Sequence, residues 1–417
     1  MTDMTELPKS HEPYTDKYFL RSKEVLQKEG LNPFIRAQLF IRQGPGNVYG
    51  INDAVDILRT YSNLEENGGR IYALNEGAKY ASKETIMVLE GRAQDIIDLE
   101  TMILGVISAQ TTKHNDHHSV DLDAARETMR QVVAASGNRP VSYFGARHWS
   151  YDEDEAIAKA AFDGGASSCS TDIGAQAINA KGIGTIPHAL ENIFAYIYGQ
   201  ERAVVESTKS FDRHIDPAVP RISLIDYRNR EVDDTLATAQ ALEGRLAAVR
   251  IDTCGENVAQ GALAQWDDKE IEKLTGKRIT LAEIPTEYRR FWTGKGVTVT
   301  GTYAVRTALD THGHSDVEIL LSSGFGDPVK VRAFADAEKR LGVKLFDGLG
   351  VGGIYDARIT TMDIVAVGET LETLTPMSKV GRPYRPNARV QLRMPYDADA
   401  QHAQFERTIK HWKEATV

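Results

Sequence analysis

The chain has 417 residues, of which 41% are hydrophobic and 26% are charged, a composition typical of a soluble globular protein large enough for two domains. Its net charge of −10 provides no electrostatic footprint for nucleic acid or for an anionic membrane, so we expect neither partner. The two cysteines, Cys169 and Cys254, are too few for a disulfide framework or an all-cysteine zinc site.

The first residues bear on where the protein resides. They read MTDMTELPKSHEPYTDKYF, which is acidic and polar where a secretory signal needs a basic stretch followed by an apolar run. The most apolar segment, near 96–107, is interrupted by Asp98 and Glu100 and is too short to cross a bilayer. We therefore expect a cytoplasmic protein without a membrane partner.

The N-terminal region reads as an α+β domain. Strand-like runs occur at 38–43, 70–77 and 85–93, and a helix is predicted around 96–109. Two further strand-like runs, 364–372 and 388–395, come late in the chain with no helix between them. We therefore predict an N-terminal α/β sandwich domain at 1–135 that is completed by a C-terminal segment at 359–417.

The middle region, 136–358, alternates strands with helices, a pattern typical of parallel βαβ units. Helical patterns cover 154–162, 233–244 and 328–342. The strand candidates are 141–145, 167–171, 182–186 (the weakest), 222–227, 247–252, 317–322 and 343–348. Their number favours an α/β barrel, with an open doubly wound sheet as the alternative. The long connection at 255–315 is predicted to include a surface excursion.

Polar residues follow most of these strands, at the edge where a parallel barrel carries its chemistry. Arg250 and Asp252 are two residues apart on one strand, so they share a face, and Asp226 ends the strand before it. An ion pair would explain Arg250 and Asp252 equally well. In the functional interpretation Arg250 binds a phosphate, and the two carboxylates hold Mg²⁺, which takes one or two protein oxygens and otherwise binds ligand phosphates.

Glycine-rich loops follow the last two barrel strands. The sequences are LSSGFGD (321–327) and GLGVGG (348–353), and such loops let backbone N–H groups approach a phosphate. They predict a phosphate site that includes Ser323, Gly324, Gly350, Gly352 and Gly353.

His188 lies in GTIPHAL (184–190), between a turn and an apolar helix. A lone histidine in such a place is more often a packing residue than a reactive one, and the local residues leave both interpretations open.

Several landmarks together resemble the nicotinate phosphoribosyltransferases, which are type II phosphoribosyltransferases. In chain order they are TDKYFLR (15–21), LEGR (89–92), DLETMILG (98–105), FGARH (144–148), GTIPHAL (184–190), SLIDY (223–227), VRIDT (249–253), LSSGF (321–325) and FDGLGVGG (346–353). The resemblance implies an incomplete parallel α/β barrel plus an N-terminal α+β sandwich domain completed by the C-terminal segment. It also implies a homodimer with an active site shared between subunits.

The resemblance further implies a reaction. Ribose 5-phosphate passes from phosphoribosyl pyrophosphate to nicotinate, giving nicotinate mononucleotide and pyrophosphate in NAD salvage, with Mg²⁺ as cofactor and ATP as stimulating co-substrate. His188 matches the histidine that ATP phosphorylates, and Asp226 and Asp252 match carboxylates near the ribose and the metal.

For the pyridine ring, the resemblance implies contacts from Phe144 and Arg147, and from Tyr18 of a partner subunit. Ser170 falls where nicotinamide-using relatives carry an aspartate, which favours the acid as substrate. The segment 253–261 departs from the family pattern and puts the substrate in doubt. Two alternatives therefore stay open: a decarboxylating quinolinate phosphoribosyltransferase, and a non-catalytic paralogue that binds a nucleotide or a pyridine.

Overall fold

A computed structural model describes residues 7–394 of the chain. Residues 1–6 of the predicted N-terminal domain and residues 395–417 of the predicted C-terminal segment lie outside the described residues. The elements of the N-terminal region are, in chain order, α1 (Lys17–Glu29), β1 (Phe34–Ile41), β2 (Gly46–Asn47), α2 (Ile51–Tyr61), β3 (Arg70–Ala73), β4 (Lys79–Tyr80), β5 (Thr85–Arg92), α3 (Ala93–Ile96) and α4 (Glu100–Asp116).

The middle region follows with the alternating pattern that its sequence predicts. Its elements are α5 (Leu122–Ala135), β6 (Val141–Tyr143), α6 (Asp154–Asp163), β7 (Ser168–Cys169), α7 (Asp172–Ala175), α8 (His188–Tyr198), α9 (Ala203–His214), β8 (Arg221–Leu224), α10 (Glu231–Leu242), β9 (Leu246–Ile251), α11 (Asp268–Thr275), α12 (Thr286–Arg289), α13 (Val299–Thr311), β10 (Glu318–Leu321), α14 (Pro328–Leu341) and β11 (Gly348–Val351). The strands β12 (Thr360–Gly368), β13 (Thr375–Pro376) and β14 (Gln391–Met394) come last.

The N-terminal sheet is antiparallel and combines strands from both ends of the described chain, in the order β13-β12-β1-β5-β3-β14. Its central strand β1 is apolar except for Arg36 and Gln38, and all its residues after Phe34 are buried. A run of this kind suits a strand that is covered on both faces. The strands predicted at 364–372 and 388–395 correspond to β12, which begins earlier, and to β14, so the predicted sandwich completed by the C-terminal segment is confirmed.

The second sheet is parallel, in the order β7-β6-β11-β10-β9-β8. Neighbouring strands in this sheet are also successive in the chain, with one exception. The exception is β11, the last strand, which pairs with β6, the first strand, as in a barrel. An open doubly wound sheet would instead reverse its strand order at a switch point. The sheet stays open between β7 and β8, so the incomplete barrel is confirmed and the doubly wound alternative is wrong.

Residues 182–186 lie in the gap between β7 and β8. They form no strand, so the strand predicted there is wrong. The Ile183 amide donates to Cys169 O at 2.8 Å, and Thr185 Oγ1 donates to Ile222 O at 2.7 Å. This segment therefore touches both edges of the gap without forming a ladder. Gly184 has φ of 135°, a conformation outside the strand region, and Pro187 follows shortly after.

The last barrel strand is also displaced from its predicted position. The strand was expected at 343–348, but β11 covers the first part of the predicted glycine loop. The Leu345 amide donates to the Glu338 carboxylate at 2.7 Å instead of joining a ladder, and Phe346 is buried beside it. Leu345 and Phe346 are apolar because they are packed in the core, not because they form a strand.

The helices predicted at 154–162, 233–244 and 328–342 are confirmed as α6, α10 and α14. The long connection at 255–315 carries α11, α12 and α13. Trp266 and Trp292 pack edge-to-face in it, with ring centroids 5.4 Å apart, so it is an ordered part of the domain. Across residues 7–394, no helix combines the length and the apolar composition needed to cross a membrane.

Candidate active site

A cavity of about 380 Å³ lies at the carboxyl ends of the parallel strands, where the N-terminal sheet faces the barrel. The barrel loops supply one wall, and β12 with the segment after β13 supplies the opposite wall. The cavity brings together most of the predicted site residues: Tyr18, Phe144, Arg147, His188, Arg250, Asp252, Ser323, Gly324, Gly350, Gly352 and Gly353. Asp226 and Ser170 are not among its lining residues.

Asp226 lies directly beneath the cavity and is fully buried. It follows β8, and His188 opens α8, so the barrel scaffold fixes both backbones. His188 Nε2 is 2.8 Å from Asp226 Oδ1, and Lys379 Nζ donates to the other carboxylate oxygen. His188 thus has a specific charged partner, which favours the reactive interpretation over a packing role.

The electrostatics of this group follow from burial and charge together. Burial raises the pKa of Asp226, but Lys379 and His188 outweigh it, so the pKa lies below its usual value. Burial and the Lys379 charge lower the pKa of His188 despite the Asp226 carboxylate. At neutral pH the carboxylate is therefore ionised and the imidazole is neutral. Because Nε2–H donates to Asp226, Nδ1 keeps its lone pair.

Asp252 lies beside this group at the end of β9. Ser322 Oγ donates to its Oδ1 at 2.7 Å. Burial and Asp226 raise the pKa of Asp252, but Lys379 and Arg250 outweigh them and lower it. Two ionised carboxylates are thus held at one place, with cations around them.

The donor set partly fits a divalent cation. His188, Asp226 and Asp252 each offer one potential ligand atom, and these three atoms lie within 4.8 Å of one another. Both Asp226 oxygens are already bonded, to His188 and to the Lys379 ammonium, and an ammonium opposes a metal ion at the same carboxylate. Asp252 fits as a Mg²⁺ ligand, whereas Asp226 fits a role as partner of His188 and Lys379.

The two glycine-rich loops differ in why they contain glycine. Ser323 and Gly324 have φ of 68° and 82°, and Lys330 Nζ holds this turn by donating to Ser323 O at 2.8 Å. A Cβ at Gly350 would lie 2.9 Å from the Phe144 ring, and one at Gly352 would lie 2.6 Å from His148. These two glycines are required by packing, whereas Gly353 has open space where a side chain would be.

The opposite end of the cavity contains the predicted pyridine-binding residues. Arg147 Nη1 contacts the Tyr18 hydroxyl and lies 3.5 Å from Asp16 Oδ2. Tyr18 lines the cavity of its own chain, because α1 packs on its own barrel, where the Lys17 amide donates to Ser170 O at 2.8 Å. The contribution of Tyr18 to the site of a partner subunit stays a prediction.

Ser170 is buried behind α1 and does not reach the cavity, contrary to its predicted contact with the pyridine. Its hydroxyl lies beside the Asp16 carboxylate and lowers the pKa of that group, although burial raises the Asp16 pKa overall. The carboxylate that Ser170 lacks is therefore supplied nearby by Asp16.

Sequence reasoning missed the wall opposite the barrel. Arg42, Lys379 and Arg382 line the cavity from this wall, together with Glu100 and Asp363. Arg42 Nε donates to Thr361 Oγ1 at 2.9 Å, and Arg382 lies 3.9 Å from Asp363. The available signal was the basic, glycine- and proline-containing stretch SKVGRPYRP (378–386).

Comparison with protein families gives one match. Residues 16–110 match the family described as Quinolinate phosphoribosyl transferase, N-terminal domain. A comparison with curated protein sequences finds no match.

Solved structures of low sequence identity share the fold. A nicotinate phosphoribosyltransferase from Vibrio cholerae is 12% identical, with a TM-score of 0.58 over 90% of this chain and 89% of its own. One from Porphyromonas gingivalis is 13% identical, with a TM-score of 0.55 over 91% of this chain and 96% of its own. The resemblance to the type II phosphoribosyltransferases is therefore confirmed at the level of the fold.

Proposed function

We propose that this chain, built on the fold of the type II phosphoribosyltransferases, is an enzyme that transfers ribose 5-phosphate from phosphoribosyl pyrophosphate to nicotinate. The bond from C1 of the ribose to pyrophosphate breaks, and a bond from C1 to the pyridine nitrogen forms. The products are nicotinate mononucleotide and pyrophosphate, in NAD salvage.

One observation carries the proposal: Asp252 in the cavity and Asp226 beneath it are ionised carboxylates surrounded by cations at the carboxyl edge of the barrel. Positive charge develops on the ribosyl group in the transition state, and we propose that Asp252 stabilises it directly while Asp226 acts from below the cavity. Arg250, Arg42 and Arg382 offer permanent positive charges to phosphate groups. Mg²⁺ held by Asp252 and by diphosphate oxygens would stabilise the departing pyrophosphate.

Stimulation by ATP is part of the proposal and rests on His188. A neutral imidazole whose Nε2–H is fixed by Asp226 presents Nδ1 as the nucleophile. The γ-phosphoryl group would pass to Nδ1, with ADP as leaving group. Incubation with ATP labelled at the γ-phosphate should label the wild-type protein and leave His188→Ala unlabelled. Equal labelling of the two would exclude this role.

We also propose a homodimer, as the resemblance implies. In this proposal the active site is shared between the two subunits, as the resemblance also implies. Light scattering of the purified protein tests the dimer directly, and a monomer at working concentration would exclude it.

A specific observation favours quinolinate as the competing substrate. The family match names that activity for relatives of residues 16–110, and a diacid needs more positive charge than Arg147 and Arg250 supply. Arg42, Lys379 and Arg382 provide it. Incubation with phosphoribosyl pyrophosphate and either acid separates the two, because quinolinate use releases carbon dioxide and nicotinate use does not.

A further inference from the structure

The inference concerns Lys330, a residue of α14 that lies behind the glycine-containing turn at 322–325 and is 8% exposed. Its ammonium Nζ donates to Ser323 O at 2.8 Å and lies 4.3 Å from the centre of the Phe325 ring. Within residues 7–394, no carboxylate forms an ion pair with it. A buried ammonium without a paired anion is costly, so its position behind this turn calls for an explanation.

The turn in front of Lys330 borders the cavity. Ser323 and Gly324 both line the cavity, and Gly324 is exposed. Apart from the adjoining residues of the turn, Lys330 Nζ is the only atom of residues 7–394 within 4 Å of the position that a Gly324 Cβ would occupy, at 3.8 Å. No other side chain therefore separates the ammonium from the open space beside Gly324.

The hydrogen bond to Ser323 O fixes the orientation of one peptide group. Because the peptide is planar and trans, the Gly324 N–H points away from the carbonyl that Lys330 holds. Among the described residues, neither this N–H nor that of Ser323 donates to an acceptor. Ser323 has φ of 68°, which residues other than glycine rarely adopt, so the turn depends on its contacts to keep this shape. Two backbone donors of a turn that lines the cavity are thus left unpaired, as in backbone sites for anions.

The charge of Lys330 is available to attract an anion. Burial lowers its pKa to about 8, although Asp252 and Asp327 raise it, so the amine is mostly protonated at neutral pH. Both of these carboxylates have other partners: Asp327 forms an ion pair with Arg290 at 3.0 Å, and Asp252 accepts from Ser322 Oγ at 2.7 Å. A phosphate group at the turn would supply the negative charge that the ammonium lacks.

We propose that Lys330 is a positioning residue for phosphate binding, which holds the Ser323–Gly324 peptide with its N–H free for a phosphate group of phosphoribosyl pyrophosphate and adds a positive charge behind the turn. The inference rests on the proposed function, from which the phosphate ligand is taken. Without Lys330 the peptide can flip, which would place a carbonyl oxygen where the N–H was. That oxygen would repel the phosphate.

Binding of two phosphate compounds, in the absence of any pyridine, tests this role. Lys330→Met removes the ammonium and keeps a side chain of similar length against Phe325. The Kd for inorganic pyrophosphate, for ribose 5-phosphate or for both, measured by isothermal titration calorimetry with Mg²⁺ present, should rise about tenfold. The compound that responds identifies which phosphate of phosphoribosyl pyrophosphate binds at the turn.

Stability and turnover separate this role from a purely structural one. Replacement of an unpaired buried charge by an apolar side chain should leave the urea midpoint of unfolding unchanged or raise it. In turnover assays, Lys330→Met should raise the KM for phosphoribosyl pyrophosphate about tenfold and leave the KM for nicotinate within about twofold. Lys339→Met, the same change at an exposed position of α14, is the matched control and should alter none of these values.

The outcomes are distinguishable. Equally tight binding of both compounds by the wild type and Lys330→Met would overturn the role of Lys330, and so would weaker binding that comes with a lower urea midpoint. No binding of either compound by the wild type would overturn this inference and the phosphate site of the proposed function together. Weaker binding by Lys330→Met at an unchanged midpoint, in a protein that makes no product with any pyridine, would support the inference and exclude the proposed transfer.

Discussion

Two sets of carboxyl groups in and beside the cavity have pKa values that are shifted in opposite directions. At the proposed phosphate end, Asp226 is buried and Asp252 is half-buried beside Lys379, Arg250 and His188, and the pKa values of both carboxyls are lowered. At the pyridine end, burial raises the pKa of Asp16 and Glu100, and no cation acts on Glu100 strongly enough to oppose it. Loss of solvent raises the pKa in both sets, and the neighbouring cations decide whether the net shift of the pKa is downward.

This difference matches what each end would bind. Ionised carboxylates suit a ribosyl group that becomes positive in the transition state. Raised carboxyl pKa values suit an anionic pyridine, because they weaken the repulsion that it would meet there. Each of the following substitutions alters one end and leaves the other as an internal reference.

The largest effect is expected from Asp226→Ala, because it leaves the buried Lys379 ammonium without its partner. Such a loss costs about 3 to 5 kcal/mol of the free energy of unfolding. Urea unfolding should show this loss, and the double variant Asp226→Ala with Lys379→Met should recover a large part of it. If the double variant is no more stable than the single one, the two groups are not coupled.

Asp252→Ala should reduce kcat/KM for the transfer by about 100-fold or more, since it removes a charge from beside the reacting carbon and from the proposed Mg²⁺ site. Steady-state kinetics at saturating Mg²⁺ measure this effect. Glu66→Gln, at an exposed position in the N-terminal region, is the matched control for removal of one negative charge. A loss below threefold would place Asp252 outside the chemistry.

Asp154 extends the comparison to a carboxyl below the pyridine end. Burial raises its pKa to about 7, although Thr171 Oγ1 donates to it at 2.5 Å. The folded state therefore keeps a proton that the unfolded chain loses near 3.8, and this stabilising contribution disappears as pH rises to about 7. The free energy of unfolding should fall by about 1 kcal/mol per pH unit across this window. Chemical denaturation of Asp154→Asn should lack that slope, and an identical slope in both proteins would contradict the assignment.

Arg147→Met should raise the KM for nicotinate about tenfold and leave the KM for phosphoribosyl pyrophosphate nearly unchanged, because its guanidinium contacts the Tyr18 hydroxyl, where we propose that the pyridine binds. Initial-rate measurements with each substrate varied in turn provide the test. An increase in the KM for phosphoribosyl pyrophosphate alone would instead place Arg147 at the phosphate-binding part of the site.

His188→Ala should have the smallest effect on basal transfer. It should lose the stimulation by ATP while retaining some transfer without ATP, because the variant removes the proposed phosphoryl acceptor and leaves Asp252 in place. Rates with and without ATP provide the measurement. If His188→Ala loses basal and ATP-stimulated transfer to the same extent, His188 is not a phosphoryl carrier.

The phosphate end could be predicted from the sequence to a considerable extent. Arg250, Asp252 and Asp226 lie at the carboxyl ends of parallel strands. The carboxyl ends of all strands in one parallel sheet lie along the same edge, so these residues are predicted to lie close together. The position of β11 could not be predicted from the hydrophobic pattern. The Leu345 amide donates to the Glu338 carboxylate and not to a neighbouring strand, and the pattern of apolar residues does not indicate this hydrogen bond.

The opposite wall could not be predicted either. Lys379 bonds to Asp226 across 153 residues of sequence, and Arg42 comes from the N-terminal sheet. These positions depend on how the sheet docks on the barrel. The raised pKa of Glu100 likewise follows from burial and from neighbours distant in sequence, so nothing in the local motif DLETMILG indicates it.

The most direct test of the account is product formation from phosphoribosyl pyrophosphate with nicotinate, nicotinamide and quinolinate in parallel, each with and without ATP. The account predicts nicotinate mononucleotide from nicotinate alone, at a rate that ATP increases. Carbon dioxide release from quinolinate would transfer the assignment to the competing substrate. Binding of a pyridine or nucleotide with no product from any of the three would contradict an enzymatic function and favour a non-catalytic paralogue.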